Sequence, residues 1–141
     1  GADAAGEAIE RRFRDNGWSG IWCDGLYAFH HYHSRAHEAL GVCAGWVLVQ
    51  LGGEPGEAVR LEAGDAVLLP AGVAHRRVEA SPDFRIVGAY PLGQEPDLCT
   101  GKPGERAAAE RVIGALADPV TDPVSGAAAP FAARFTEARK G

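Results

Sequence analysis

The stretch His30-His31-Tyr32-His33-Ser34-Arg35-Ala36-His37-Glu38 decides how this chain reads. Four of the chain's five histidines fall within it, beside a glutamate, and the fifth, His75, follows the turn Pro70-Ala71-Gly72. The cluster closes an apolar run, Leu26–His33, that reads as a strand. Residues two apart in a strand share a face. His31 and His33 are therefore expected side by side with Tyr27 and Phe29, while His30 points the other way. Two imidazoles on an inward face suit a borderline divalent cation. A carboxylate and a further imidazole nearby would complete a facial set with open positions. Without partners, buried imidazoles are costly.

On either side, from Trp18 to about Tyr90, short apolar or alternating runs are separated by Gly, Pro and Asp. The runs are Gly20–Trp22, Leu26–His33, Ala39–Cys43, Trp46–Leu51, Ala58–Leu61, Ala66–Leu69, His75–Val78 and Phe84–Tyr90. Strands at this spacing predict a sandwich or barrel rather than alternating β-α units. Before them, residues 3–16 read as an amphipathic helix in which Ile9 and Phe13 form an apolar pair, ended by Asn16-Gly17. After Pro91, residues 91–104 read as loop. Glu105–Leu116 reads as a second helix stopped by Asp118-Pro119, and Pro130–Lys140 as a short third one with Phe131 and Phe135 on one side.

The chain has 141 residues, 46% of them hydrophobic and 23% charged, which suits one globular domain with a real core. Its 19 glycines favour a turn-rich β fold. The net charge of -5 and the scattered basic residues argue against a nucleic-acid surface. No apolar run is long enough to span a membrane, and the start has no signal-peptide pattern. Cys23, Cys43 and Cys99 are odd in number and widely spaced, which argues against a disulfide framework and a zinc finger. They read as small buried hydrophobes in a protein of the reducing cytoplasm. With no methionine, the chain is expected to start downstream of its natural first residue.

Two spacings carry a resemblance. Gly25 is followed by five residues, His31-Tyr32-His33, four residues, Glu38, six residues and Gly45. Gly64 is followed by five residues, Pro70-Ala71-Gly72, two residues, His75, three residues and Glu79. The chain thereby resembles the cupins, whose motifs read G-x5-H-x-H-x4-E-x6-G and G-x5-P-x-G-x2-H-x3-N. Only the last Asn is replaced, by Glu79, at a position that is not a metal ligand in that family. The resemblance covers about residues 20–92. It implies a mainly β fold, a double-stranded β-helix or jelly-roll cupin barrel. The barrel would span 18–92, with an N-terminal helix at 1–17 and a C-terminal helical and loop tail at 93–141 packed on it. It further implies that His31, His33, Glu38 and His75 hold one divalent transition metal (Fe, Mn, Ni or Zn), and that two copies form a homodimer. The wider pattern, His31–Gly41, Leu51-Gly52-Gly53, Ser81–Phe84, Gly88–Pro91 and Asp122–Gly126, is similar to that of small bacterial monocupins.

Glu38 has a competitor in His37, because neighbours in a strand face opposite sides and a bulge would be needed to turn His37 inward. The spacing selects Glu38, with Leu40 and Val42 continuing its inward face. His30 reads as structural. Arg77 and Glu79 share the face of His75 by alternation, where the arginine would hold an anionic substrate or form a solvated ion pair. Two functions stay open. One is a small-molecule metalloenzyme of dioxygenase or isomerase/cyclase type, with Glu38 as catalytic base where an apolar cavity raises its pKa. The other is a binding or sensing module without turnover, metal-dependent or metal-free. A degenerate structural cupin is opposed by the intact ligand set. A cavity open beside the metal would favour the enzyme.

Overall fold

The run Glu38–Ala44 forms strand β2, and its first six residues are all buried. Alternation explains why both of its faces are dry. Leu40 and Val42 enter a core shared with Val47, Val49, Leu61, Leu69 and Ile86. Ala39 and Cys43 point the opposite way, into a second core with Phe13, Trp18, Val87 and Ala89. There helix α1 (Ala2–Asp15) lies on the sheet, with Ile9 and Phe13 one turn apart on its apolar stripe. The approach is close: a Cβ on Gly41 would stand 2.8 Å from Ile9 Cγ2.

The computed structural model describes residues 2–127, so the helix expected over Pro130–Lys140 lies outside the described residues. Strand β2 is central in an antiparallel sheet ordered β1-β7-β2-β5, where β1 is Trp18–Asp24, β5 is Ala66–Leu69 and β7 is Arg85–Pro91. A second antiparallel sheet is ordered β4-β3-β6, where β3 is Trp46–Leu51, β4 is Ala58–Glu62 and β6 is His75–Ala80. The core around Leu40 and Val49 fills the space between them. Together the sheets make the double-stranded β-helix, mainly β as the sequence implies.

One expected strand is absent. Leu26–His33 has no continuous ladder and makes only two isolated bridges, His31 with His75 and Tyr32 with Cys99. A strand needs one partner along its length, and this segment divides its bonds between two. His31 exchanges both backbone bonds with His75 on β6, at 3.1 and 2.9 Å, while Tyr32 does so with Cys99 on the opposite side. The chain bends at residues 28 and 29 between these contacts and the bond from Arg77 N to Tyr27 O.

Helix α2 (Glu105–Ala115) packs Ala109 and Ile113 against Tyr32 and Cys99. Gly72, at φ 91°, sits beneath it, where a Cβ would meet Ile113 Cδ1 at 2.8 Å. Its N–H donates to the carbonyl of His33 at 2.8 Å, so the Pro70-Ala71-Gly72 turn is tied directly to the histidine segment. All three cysteines are free thiols. No helix among the described residues is long and apolar enough to cross a membrane.

Candidate metal centre

His31, His33 and His75 come together at one end of the barrel, each offering a ring nitrogen within 4.8 Å of the others. His31 and His75 are held by their shared bridge, and their ring centroids are 4.1 Å apart. Glu38, at the first position of β2, faces inward with Leu40 and Val42. Its Oε1 lies 3.4 Å from His33 Nε2 and 3.3 Å from His75 Nε2. All four expected ligand residues thus come together, and His31, Glu38 and His75 are buried.

The second nitrogen of each ring explains the arrangement. Nδ1 of His31 meets the Phe29 carbonyl at 3.1 Å, Nδ1 of His33 the Asp97 carbonyl at 2.5 Å, and Nδ1 of His75 the Val73 carbonyl at 3.1 Å. A carbonyl only accepts, so every Nδ1 carries the proton and donates it. In the neutral rings, Nε2 then keeps its lone pair and faces the common centre. His75 Nε2 is buried and makes no hydrogen bond of acceptable geometry. Three oriented lone pairs, one buried orphan nitrogen and one carboxylate fit a divalent transition metal.

Burial and the Glu38 carboxylate act on these groups in opposite directions. Burial, with His75 alongside, brings His31 from 6.5 down to about 4, so its ring is neutral at physiological pH. Burial also opposes charge on His33, but the Glu38 carboxylate outweighs it and raises the imidazole. For Glu38, burial pushes the carboxyl up, yet the adjacent imidazoles of His33 and His75 outweigh it and hold it at about 2. The condition set for a catalytic base, a carboxyl raised by the cavity, is not met in these surroundings, where the direction is downward. The apolar cavity is outweighed by two adjacent imidazoles.

The other histidines are elsewhere. His37 is fully buried but turned away from the cluster: its Nδ1 accepts from Ala71 N at 2.9 Å, so Nε2 donates to the Ala117 carbonyl at 3.0 Å. It pins the Pro70-Ala71-Gly72 turn and the segment after α2 to the start of β2. His30 pairs with Glu54 at 2.9 Å. Arg77 and Glu79 do not line the cavity beside the cluster. Arg77 keeps the alternation with His75, since Leu51, Gln50 and Val49 pair in unbroken register with His75, Arg76 and Arg77. The register shift between Leu48 and Val49 falls after Arg77 and takes Glu79 out of it.

That cavity has a volume of about 520 Å³ and is bordered by His31, His33 and Glu38, with Trp22, Leu26, Tyr27, Tyr90 and Leu98 among its walls. Tyr27 and Phe29 stack at 4.7 Å beside His31, and both are exposed. The Tyr90 hydroxyl accepts from Trp22 Nε1 at 2.8 Å. Burial and the Glu38 carboxylate, to which it bonds, push its pKa up.

Asp97 went unread in the sequence. Its carboxylate accepts from Ser34 N at 2.8 Å, Ser34 Oγ at 2.5 Å and Arg35 N at 3.1 Å, while its own carbonyl takes the His33 proton. Burial raises this carboxyl, but the bonds from Ser34 and Arg35 outweigh it and bring it from 3.8 to about 2. A folded-state pKa below the unfolded one gives stability that is present above about pH 3.8 and is lost as pH falls toward 2. Asp97→Ala is expected to cost about 1–3 kcal/mol at neutral pH and to flatten that acid limb. Urea titrations from pH 2 to 7 check both.

No family model matches the chain. The chain is 44% identical over 122 residues to the uncharacterized protein YjlB of Bacillus subtilis (strain 168), covering 86% of this chain and 74% of that one. Among solved structures, acireductone dioxygenase from Bacillus anthracis, with a cadmium ion in its active centre, matches at 16% identity and a TM-score of 0.46 over 64% of this chain and 62% of that one. DMSP lyase DddQ from Ruegeria pomeroyi matches at 24% identity and a TM-score of 0.47 over 60% of this chain and 42% of that one. The chain spans less than two thirds of the length of either solved chain.

Proposed function

Since this chain belongs to the family of the uncharacterized protein YjlB of Bacillus subtilis and has the double-stranded β-helix of the cupins, we propose that it holds one divalent transition metal through His31, His33, His75 and Glu38 and acts with it on a small organic molecule. The observation that carries this is the set of three imidazoles whose Nδ1 protons are all committed to carbonyls, so that three Nε2 atoms converge beside a buried carboxylate. A divalent ion there supplies Lewis acidity and open positions that orient a substrate. The chain's own residues hold and shape. Asp97, Phe29 and Val73 fix the rings, and the cavity walls keep water from the reacting face.

Glu38, ionised, completes the ligand set, and its Oε1 is the nearest carboxylate able to take a proton from a bound molecule. An ionised carboxylate there suits a substrate acidified by coordination. The cavity beside the cluster favours a metalloenzyme of the dioxygenase or isomerase/cyclase type over a binding module. The same reading expects a homodimer working in a reducing cytoplasm.

Elemental analysis of the purified protein tests the proposal. About one equivalent of Fe, Mn, Ni or Zn is expected per chain, and far less in His33→Ala. Removing the ion with a chelator is expected to lower the melting temperature. At a free metal concentration a thousandfold above Kd, binding contributes about 4 kcal/mol. No metal after reconstitution with all four ions, and no thermal shift, would refute the reading. Metal uptake without turnover of any small molecule would leave a metal-dependent sensor.

A further inference from the structure

Resting on the metal-centre reading above, we propose that this cavity takes an uncharged, largely apolar organic molecule that offers oxygen donors, and that it discriminates against anions. The charged groups on its walls are all acidic: Asp24, Glu38 and Asp97. Among the described residues, no lysine or arginine lines it. Two of the nearby cations are engaged elsewhere. Arg76 donates to Gln50 Oε1 at 2.8 Å, and Arg106 donates to the Gly72 carbonyl at 2.9 Å and covers the Tyr32 ring.

Three carboxylates against one divalent ion leave the site net negative. A phosphate or an additional carboxylate on the ligand would find no counter-charge once its donor atoms had used the metal. That is rejection by charge rather than by shape. The remaining walls are aromatic or aliphatic, with Trp22, Leu26, Tyr27, Tyr90 and Leu98 facing the cavity. A volume of about 520 Å³ suits a molecule of one or two rings. The Trp22 N–H is already spent on Tyr90, which removes one donor that an anion could have used.

The test uses two probes with the same metal-binding oxygens, 4-methylcatechol and 3,4-dihydroxybenzoate, which differ by a methyl against a carboxylate. Each is titrated anaerobically into the cobalt(II)-loaded full chain. The cobalt visible spectrum reports the ion, and tryptophan fluorescence reports the wall at Trp22. The expected result is binding of 4-methylcatechol about tenfold or more tighter than that of 3,4-dihydroxybenzoate.

Leu98→Arg, at a side chain already 52% exposed, is expected to keep the cobalt spectrum and shift the preference toward the carboxylate. Equal binding, tighter binding of the anion, or no binding of either probe to the cobalt-loaded protein overturns the assignment and leaves the metal centre standing. Failure to take up cobalt overturns the metal reading and this inference together.

Discussion

His75→Ala is expected to lower the affinity for a first-row divalent metal by more than about 100-fold, beyond the 10–100-fold typical of losing a group that only supports a ligand. His75 is 1% exposed, and its ring lies between Glu38 and His31, with its Nε2 3.3 Å from Glu38 Oε1. It is the residue whose Nε2 is buried without a hydrogen bond, and the proposed metal would be its partner. Alanine would remove that donor and break the tilted stack on His31.

The comparison that makes this result specific is His37→Ala. His37 is equally buried, at 0%, and holds Ala71 N and the Ala117 carbonyl. Its loss takes this partner from Ala71 N, at about 1–3 kcal/mol, while the Ala117 carbonyl keeps its bond from Gln94 Nε2 at 3.0 Å and the three converging Nε2 atoms remain. Isothermal titration with Zn(II) separates the two variants. Equal loss of affinity in both would mean that the metal responds to general destabilisation rather than to the lost ligand.

Gly88→Ala is expected to destabilise the fold by about 3 kcal/mol, the upper end for overpacking a filled interior. Gly88 on β7 pairs directly with Trp22 on β1, and the indole lies flat across it. A Cβ there would stand 2.1 Å from Trp22 Cε2 and 2.3 Å from both Cζ2 and Nε1. The ring must leave, and with it goes the bond from Nε1 to the Tyr90 hydroxyl, which shapes the cavity beside Glu38. The effect should therefore depend on Trp22. In a Trp22→Leu background the same substitution is expected to cost much less, and a double-mutant cycle by urea denaturation measures the coupling. Strict additivity would contradict the account of why glycine stands at 88.

The elements that depend on local pattern were legible in the sequence. Trp46–Leu51 and Ala66–Leu69 were read with the boundaries that β3 and β5 show. The Ile9 and Phe13 pair packs α1 on the sheet, and Leu40 and Val42 do continue the inward face of Glu38. What failed depended on partners distant in the chain. Leu26–His33 has the composition of a strand, but only tertiary structure shows that its backbone bonds are split between β6 and Cys99. Glu79 follows the alternation from His75 through Arg77 only until an extra residue on β6 shifts the register. Asp97 could not be found by pattern, because Ser34 lies 63 residues away and the atom that orients His33 is a carbonyl, which every residue has. Gly88 carries no sign of its role either, since the indole that needs the space belongs to a strand at the other end of the barrel domain. The sign of the Glu38 shift was left conditional on the cavity, because burial and ion pairing compete and the outcome rests on distances no spacing supplies.

The central claim is that three imidazoles and one carboxylate converge on a single ion. X-ray absorption at the metal edge of the zinc-loaded protein tests it most directly. The account predicts multiple-scattering features of three imidazoles with nitrogen at about 2.0–2.1 Å, together with oxygen neighbours and no sulfur. Fewer than three imidazoles, or a sulfur shell near about 2.3 Å from one of the free cysteines, would contradict it.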